Sequence, residues 1–335
     1  MRKLATIQKI KDIQPIEGAD MIERATVLGW QLVVKKGEFK VGDYCVYCEI
    51  DSVLPEKPDF EFLRSRKFRI KTVKMRGQIS QGIAFPITIL EDYEKLDIKQ
   101  GVDVTDIIGV TKYEPPPAVM MSGKVKGGFP GFIPKTDEMR IQSVPDVLSR
   151  PENQGKRCYI TEKVDGTSVT YYLRDGQFGV CSRNLELHET EDNIHWMVAR
   201  QYDFENTLRK VNRNIAIQGE ILGTKIQGNK YNLPKHKVLI YNIFDIDKSE
   251  YLDYEDIVSL ARDANLETVP IVRDDYILGK DDVNGLVAIS EGKSVLNPEI
   301  PREGIVVRSV IEAHDPELGR LSFKVVNPEF LLKYE

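Results

Sequence analysis

The sequence lacks the segments that would anchor it in a membrane or mark it for export. No apolar run approaches the ~20 residues that a membrane-spanning helix requires. The N-terminal residues pass directly into an alternating pattern, without the apolar core of a signal peptide. We therefore expect a cytoplasmic, intracellular protein that does not contact a membrane.

Cysteine is scarce, with 4 in 335 residues. Cys45 and Cys48 form a CxxC motif, but this motif lies inside an alternating run over residues 44–50. Residues three apart in a strand point to opposite faces of the sheet, so the two thiols cannot readily share a zinc ion. The sequence therefore predicts four reduced cysteines, the other two being Cys158 and Cys181.

The common nucleotide-binding loops are also missing. The chain contains neither a G-x-x-x-x-G-K-[ST] loop nor a G-x-G-x-x-G fingerprint, which argues against a P-loop kinase and a Rossmann dehydrogenase. The four histidines match no catalytic triad or metal spacing. The formal net charge of −5 argues against a protein that coats nucleic acid by bulk charge, although it leaves room for a local basic groove.

The length of the chain suits two domains of ordinary size. Residues 1–110 show short β-prone runs separated by Gly-rich and Pro-rich turns, a pattern that predicts a small OB-like β-barrel. Residues 111–135 are so rich in proline and glycine that we predict a linker. The strands predicted in the first domain are Leu4–Ile13, Ile22–Leu28, Trp30–Val34, Tyr44–Ile50, Phe68–Val73 and Ile83–Ile87.

Basic residues are concentrated in the first domain, over residues 64–76. On the predicted strand Phe68–Val73, alternation places Arg69 and Lys71 on one face, with Phe68 and Ile70 on the other. Such a face can follow a phosphate backbone, but an ordinary solvated strand face has the same pattern.

Residues 136–335 mix helices and strands in clusters, which predicts an α+β domain rather than a regular βαβ alternation. The predicted strands are Cys158–Val164, Ser168–Leu173, Phe178–Ser182, Ile215–Ile221, Val238–Asp245, Gly304–Arg308 and Leu321–Val326. The predicted helices are Glu191–Arg200, Tyr254–Ala264 and Val283–Glu291.

Lys163 lies between two β-prone runs, at the start of the tetrapeptide Lys-Val-Asp-Gly. A strand that ends in a tight glycine turn often forms a pocket wall, because glycine lets backbone and ligand approach closely. A lysine that loses solvation there would favour its neutral, nucleophilic amine. The alternative is a surface lysine beside an Asp-Gly turn.

Three carboxylates in this domain follow or precede a glycine at a strand end: Asp165, Glu220 and Glu303. Together with the lysine-bearing strand they predict a pocket that holds a divalent cation such as Mg²⁺, directly or through water. Arg183 and Lys324 can offset phosphate charge, although Arg183 equally suits a surface salt bridge. Phe244 can stack on a base, although core packing is the more common role of a single aromatic residue.

The order of these motifs resembles the covalent nucleotidyltransferases, which comprise ATP-dependent RNA ligases, DNA ligases and mRNA capping enzymes. The motifs are Lys163–Gly166, Ser182–Asn184, Gly219–Glu220, Phe244–Ile246, Glu303–Val307 and Phe323–Lys324. The N-terminal phrases at residues 2–7, 15–20 and 33–43 resemble RNA ligases with an N-terminal OB domain, the branch typified by the Deinococcus and Naegleria enzymes. DNA ligases and capping enzymes usually carry the OB domain after the catalytic domain, so this order favours an RNA ligase.

The resemblance implies an ATP-dependent enzyme that joins RNA 3′-OH and 5′-phosphate ends, at nicks in duplex RNA, as a monomer. Lys163 would form a lysyl-AMP, and an RNA-adenylate would follow. Further roles are implied as follows: Glu162 and Phe244 at the adenine, Arg183 and Glu220 near the ribose, Lys324 at the α-phosphate, and Asp165, Glu220 and Glu303 around hydrated Mg²⁺ or Mn²⁺.

One departure from the family pattern concerns its last motif, which in many relatives is Lys-x-Lys. Here the residues two positions from Lys324 are Ser322 and Val326, so a second phosphate contact must come from elsewhere. Arg140, in a segment that resembles the entry to the catalytic domain, is a candidate for contact with nucleotide or RNA. The alternatives are a DNA ligase, a GTP-dependent capping-type enzyme and, outside the enzymes, a catalytically idle OB-fold protein that binds RNA.

Overall fold

The computed structural model describes residues 3–91, 96–114 and 124–334. It divides the chain into two compact units. Unit 1 comprises Met1–Pro116, Ile141–Pro145 and Pro328–Glu335, and unit 2 comprises Pro117–Arg140 and Asp146–Asn327. Within the described ranges, no helix is both long enough and apolar enough to cross a membrane.

Strands dominate both units. The strands are β1 (Ala5–Pro15), β2 (Ile22–Val27), β3 (Trp30–Lys35), β4 (Tyr44–Cys48), β5 (Ser52–Val53), β6 (Val73–Met75), β7 (Gln78–Ser80), β8 (Ile83–Pro86), β9 (Thr111–Lys112), β10 (Val125–Gly128), β11 (Met139–Arg140), β12 (Arg157–Lys163), β13 (Thr167–Arg174), β14 (Gln177–Cys181), β15 (Leu185–Leu187), β16 (Ile215–Leu222), β17 (Lys237–Asp245), β18 (Glu250–Tyr251), β19 (Glu267–Thr268), β20 (Ile271–Ile277), β21 (Gly304–Ser309), β22 (His314–Asp315), β23 (Gly319–Arg320) and β24 (Ser322–Val326).

Helices are short. The α-helices are α1 (Thr105–Ile108), α2 (Ile194–Gln201), α3 (Phe204–Val211), α4 (Tyr254–Asp263), α5 (Val283–Ser290) and α6 (Pro328–Tyr334). The 3-10 helices are Pro58–Arg66, Ile87–Leu90, Ile141–Ser143, Pro145–Leu148 and Gln227–Asn229.

Unit 1 is built on a five-stranded sheet in the order β3-β2-β1-β4-β8. The long strand β1 serves two partners, because Ala5–Lys9 pairs with β4 and Ile10–Pro15 pairs with β2, with a register shift between Ile10 and Asp12. A bulge of this kind bends a strand, so β1 turns from one part of the sheet into the other. Trp30 and Tyr47 are among the largest fully buried side chains of this unit.

The helix α6 also belongs to unit 1. Phe330 and Leu331 are buried, and Glu329 forms a salt bridge of 3.1 Å with Lys74 on β6. Unit 1 therefore combines the N-terminal part of the chain with the helix α6 near the end of the described residues.

The predicted strand Phe68–Val73 is wrong. Lys67 and Phe68 have φ angles of 52° and 58°, a left-handed conformation that interrupts an extended strand, and the strand β6 begins only at Val73. Burial still alternates, since Phe68 and Ile70 are buried. Arg69, however, pairs with Asp51 at 3.2 Å rather than standing clear for a phosphate.

The predicted linker, residues 111–135, lies partly outside the described residues. Its described part contains β9, which pairs with β5, and β10, which pairs with β15 at the edge of a larger sheet. The domain boundaries that we placed at residues 110 and 136 stay predictions.

Unit 2 contains an eight-stranded and a five-stranded sheet. Helices α2, α3 and α4 cover one face of the larger sheet, where Phe204, Leu208 and Ile257 pack against Ile217 and Ile240. The smaller sheet has the order β11-β24-β21-β12-β20. This arrangement leaves the uncovered face of β13, β16 and β17 available to line a site together with the smaller sheet.

Candidate active site

Lys163 is the last residue of β12, and Val164, Asp165 and Gly166 form the turn into β13. This turn packs closely against β16. A Cβ atom on Gly166 would lie 2.4 Å from the carbonyl oxygen of Ile221 and 2.9 Å from Cγ of Glu220, closer than packed atoms approach. Glycine is therefore required here, and its small size brings the lysine-bearing turn beside Glu220.

The predicted carboxylates converge on this turn. Glu303 directly precedes β21, which pairs with β12 so that Lys163 lies opposite Gly304. The ammonium Nζ of Lys163 is 2.5 Å from Oε1 of Glu303. Asp165, within the turn, forms an ion pair with Lys230.

The charges around Lys163 decide its protonation. Burial lowers the pKa of Lys163, but the charge and hydrogen bond of Glu303, with the charges of Glu220 and Asp165, outweigh burial and raise the pKa above its ordinary value. Burial raises the pKa of Glu220 to about 8, against the opposing effect of Lys163. We expected desolvation to free the amine, but in this arrangement the carboxylates hold it protonated.

The same carboxylates suit a hydrated divalent cation. Oε2 of Glu303 is buried without a hydrogen-bond partner, and the buried Glu220 feels the negative charges of Glu303 and Asp165, so a cation would stabilise the ionised form of these acids. Within the described ranges, no group of three or more His, Cys, Asp or Glu side chains is placed to hold a metal ion directly. Asp165, Glu220 and Glu303 therefore fit a cation that keeps its own waters, as Mg²⁺ tends to do.

A cavity of about 300 Å³ opens beside Lys163, between the two sheets of unit 2. Five of the predicted site residues line it: Glu162, Lys163, Arg183, Glu220 and Lys324. Asp165 and Glu303 do not line this cavity: Asp165 pairs with Lys230, and Glu303 pairs with Lys163. The cavity therefore brings Lys163 together with Glu162 and Glu220, and Glu303 is linked to it through its ion pair with Lys163.

Glu162 has one carboxylate oxygen fixed and one unpaired. Its side chain is 1% exposed, and Oε2 accepts a hydrogen bond of 2.8 Å from the amide of Val295. Oε1 is buried and has no hydrogen-bond partner. Because an unsatisfied buried acceptor is costly, this oxygen marks a place where a ligand donor would bind favourably.

Phe244 does not fit the adenine role that we predicted for it. Its side chain is buried in a cluster with Ile133, Tyr172 and Ala216, and its ring packs edge-on against Tyr251 at 5.1 Å. The aromatic residue that lines the cavity is Tyr241, three positions earlier on the same strand.

A bulge in β17 explains why alternation misplaced the aromatic residue. The pairing of β16 with β17 shifts register, so that Gln218 lies opposite Asn242 while Gly219 lies opposite Ile240. Tyr241 is the extra residue, and it therefore shares the cavity-side face with Phe244. No feature of the sequence signals this bulge.

Two of the three remaining predicted cations, Arg183 and Lys324, lie at the cavity wall. Arg183, with 51% of its side chain exposed, forms an ion pair with Asp137. Lys324 lies on β24 opposite Val306, and its charge acts on Glu303. Arg140 is buried on β11 beside Lys324 but does not line the cavity.

Sequence reasoning missed Arg308 as a cavity residue. Arg308 is 3% exposed, its Nη2 lies 3.2 Å from Glu138, and its guanidinium lies 5.6 Å from the centre of the Tyr241 ring. Its position on β21, two residues after Val306, could have signalled an inward-facing side chain through strand alternation.

Comparison with protein families matches both parts of the chain. A model described as RNA ligase matches residues 156–326, and a model described as an OB-fold domain matches residues 4–87. A comparison with curated proteins finds no match.

Solved structures of a Naegleria gruberi enzyme resemble the whole chain. A lysine-to-alanine mutant of Naegleria gruberi RNA ligase with ATP and Mn has a TM-score of 0.89 and 39% identity, over 99% of this chain and 99% of that chain. A lysine-to-methionine mutant with AMP and Mn gives the same values. The same enzyme with PPi has a TM-score of 0.88 and 39% identity, over 100% of this chain and 99% of that chain.

Proposed function

Since the chain belongs to the RNA ligase family, we propose that it is an ATP-dependent RNA ligase that joins RNA 3′-OH and 5′-phosphate ends at nicks in duplex RNA. The observation that carries this proposal is the placement of Lys163 beside Glu303 and Glu220, in the wall of a cavity that also presents basic and aromatic side chains. We further propose that it acts as a monomer in the cytoplasm, where its four buried thiols would stay reduced.

The cavity walls support binding of an adenine base. Tyr241 and Val306 both line the cavity, one from each sheet, and a flat base between them would bury both of its faces. The unpaired Oε1 of Glu162 is an acceptor that the exocyclic amino group of adenine can satisfy. Tyr241 thus takes the base-stacking role that we first gave to Phe244.

The first chemical step is an attack by Nζ of Lys163 on the α-phosphorus of ATP. A P–N bond forms, the bond from the α-phosphorus to the bridging oxygen breaks, and pyrophosphate leaves, which gives lysyl-AMP. Glu303, at 2.5 Å, is the nearest base that can take the lysine proton. Lys324 and Arg183 line the same cavity and oppose the negative charge of the phosphates.

Asp165, Glu220 and Glu303 would hold hydrated Mg²⁺ or Mn²⁺ in this site. Such a cation, when bound, neutralises charge that develops on the phosphoryl oxygens and favours the neutral form of a neighbouring amine.

Two transfers to RNA follow from lysyl-AMP. An oxygen of the RNA 5′-phosphate attacks the AMP phosphorus, the P–N bond breaks, and RNA-adenylate forms. The 3′-OH then attacks the 5′-phosphate, a phosphodiester forms, and AMP leaves. Each step exchanges one bond at phosphorus for another, so the positioning of the groups supplies most of the catalysis.

The proposal is tested by incubating the protein with α-labelled ATP and Mn²⁺ or Mg²⁺. The wild-type protein should become covalently labelled, and Lys163→Ala should not, because it removes the attacking amine. Lys210→Ala, at an exposed position on α3, is the matched control and should label normally. Labelling of Lys163→Ala at the wild-type level would overturn the assignment of the nucleophile.

The substrate is tested with nicked duplexes that carry RNA or DNA on either side of the break. We expect sealing when RNA flanks the nick and ATP is the nucleotide. Sealing of all-DNA nicks in preference to RNA would indicate a DNA ligase, and labelling by GTP alone would indicate a capping-type enzyme. RNA binding without any labelling would indicate a catalytically idle protein.

A further inference from the structure

The segment that follows β16 has an unusual backbone. Within residues 223–232, four residues other than glycine have left-handed φ angles between 45° and 65°: Lys225, Gln227, Asn229 and Asn232. Such conformations cost energy and persist where surrounding contacts fix them, commonly at ligand sites.

Contacts with the nucleophile turn hold part of this segment in place. The hydroxyl of Tyr231 accepts a hydrogen bond of 2.7 Å from the amide of Asp165, and Nε2 of Gln227 donates one of 3.3 Å to the carbonyl of Gly166. Asn297 holds the backbone at the centre of the segment, since its Nδ2 donates to the carbonyl of Lys230 at 2.9 Å. The segment therefore clamps the turn that carries Lys163.

Lys230 brings a further positive charge to this turn. Its ammonium forms an ion pair with Asp165, and its side chain is only 17% exposed. Each of two acids thus acts on two lysines: Asp165 on Lys230 and Lys163, and Glu303 on Lys163 and Lys324. An ATP triphosphate would add about four negative charges to this set of acids and lysines.

A mostly buried lysine must keep an anionic partner. A ligand that takes over Asp165 would release the ammonium of Lys230 from this ion pair and make it available to an anionic group of the ligand. The lysine side chain is long and flexible, so Nζ can change partners while Asn297 keeps the backbone of Lys230 in place. Gln227, three residues earlier, lines the nucleotide cavity, so the segment already borders that space.

We propose that Lys230 is a polyphosphate-binding residue of this site, which pairs with Asp165 in the free protein and with the pyrophosphate portion of ATP in the complex. This inference rests on the proposed function. Lys324 and Lys163 serve the α-phosphate, whereas Lys230, which pairs with Asp165 in the free protein, serves the leaving group.

The test compares pyrophosphate and AMP as probes, measured by isothermal titration calorimetry on the full-length protein in Mn²⁺ buffer. Lys230→Ala should weaken pyrophosphate binding about tenfold or more, because a charge-assisted hydrogen bond is lost. AMP carries no β- or γ-phosphate, so its affinity should stay within about twofold. The ATP concentration for half-maximal self-labelling should rise in parallel with the pyrophosphate dissociation constant.

Two further variants control for charge and fold. Lys230→Arg keeps the charge and should bind pyrophosphate within about threefold of the wild type. Lys235→Ala removes an exposed lysine shortly after the segment and should bind both probes normally. Circular dichroism and thermal unfolding confirm that each variant is folded.

Equal weakening of AMP and pyrophosphate by Lys230→Ala would overturn the inference, because Lys230 would then only support the turn. Unchanged pyrophosphate affinity, or a loss in Lys230→Arg as large as in Lys230→Ala, would also overturn it. If the wild-type protein binds pyrophosphate but never labels itself, the proposed function fails while the binding comparison still decides the role of Lys230.

Discussion

At the scale of single residues, Tyr241 and Phe244 are similar side chains on one strand that lie in different environments. Tyr241 lines the cavity, and its hydroxyl is 3.2 Å from Oγ of Ser168. Phe244 is 5% exposed and packs into the cluster beside it. One ring therefore faces the cavity, and the other fills the core beside it.

Replacing Tyr241 by alanine should weaken ATP binding with little effect on the fold. The loss of one base-stacking face is worth about 1–3 kcal/mol, so the ATP concentration for half-maximal self-labelling should rise about fivefold to a hundredfold. Self-labelling as a function of ATP concentration measures this change.

Replacing Phe244 by alanine provides the contrasting variant. Because it removes a buried aromatic ring, it should lower the free energy of unfolding by about 3–5 kcal/mol. The half-saturating ATP concentration should then change less than in Tyr241→Ala at a temperature where both variants are folded. A larger ATP defect in Phe244→Ala would restore our original assignment and contradict the structural one.

From the sequence we could identify those candidate site residues that have a recognisable motif order and a glycine nearby. Lys163, Glu220 and Glu303 each stand at a strand end beside or near a glycine, and the structure brings them together. Tyr241 and Lys230 could not be identified, because a bulge places one and a contact 65 residues apart in sequence places the other. Both depend on tertiary pairing that local pattern does not encode.

At the scale of elements, the hairpin of β22 and β23 is held by one buried acid. Both carboxylate oxygens of Asp315 accept from Nη1 of Arg150, at 2.7 and 2.8 Å, and Asn153 donates to Oδ2 at 2.7 Å. The amides of Glu317 and Leu318 donate to Oδ1. Asp315 therefore ties the hairpin both to its own turn and to the residues before β12.

This acid should make stability depend on pH. Burial alone would raise the pKa of Asp315, but the hydrogen bonds from Leu318, Asn153, Arg150 and Glu317 outweigh it and lower the pKa from 3.8 to about 2. Because the folded-state pKa is depressed, the stabilisation is fully present above pH 4 and is lost as pH falls towards 2. Its size is about 2 kcal/mol.

Urea unfolding at pH 7, 4 and 3 measures this effect in Asp315→Asn and in the wild type. The variant should be less stable at pH 7, and the difference should shrink at pH 3. Glu152→Gln, at an exposed position, should show no such difference. A wild-type advantage that stays constant from pH 7 to pH 3 would contradict the assignment.

Prediction of the elements succeeded where β-prone runs were long and uninterrupted. The central strands β12, β13, β16 and β17 begin and end within one or two residues of their predicted bounds. The strand predicted at Phe68–Val73 failed because left-handed φ angles occur at Lys67, directly before it, and at Phe68, its first residue. Short β-prone runs do not reveal such a local reversal.

At the scale of the whole molecule, the predicted order of an OB-like β-barrel followed by an α+β nucleotidyltransferase domain is confirmed by the two family matches. The four cysteines divide between these parts. Cys45 and Cys48 lie on β4, and Cys158 and Cys181 lie on β12 and β14; all are free and buried.

The thiols should be unreactive until the protein unfolds. Burial raises the pKa of Cys45, Cys158 and Cys181 to about 12, and that of Cys48 rises further, so little thiolate exists at neutral pH. Ellman's reagent at pH 8 should detect no thiol promptly in the native protein and four in guanidinium chloride. Prompt reaction of any thiol in the native protein would contradict the placement of these residues.

Unit 1 draws on widely separated parts of the chain, since Pro328–Glu335 joins the residues that precede position 117. A ribosome releases residue 328 only after every residue of unit 2 has been made. All five strands of the main sheet of unit 1 are therefore made early, but Phe330 and Leu331 can pack against that unit only after α6 has been synthesised. Docking of α6, rather than formation of the barrel strands, is then a late step in assembling the first unit.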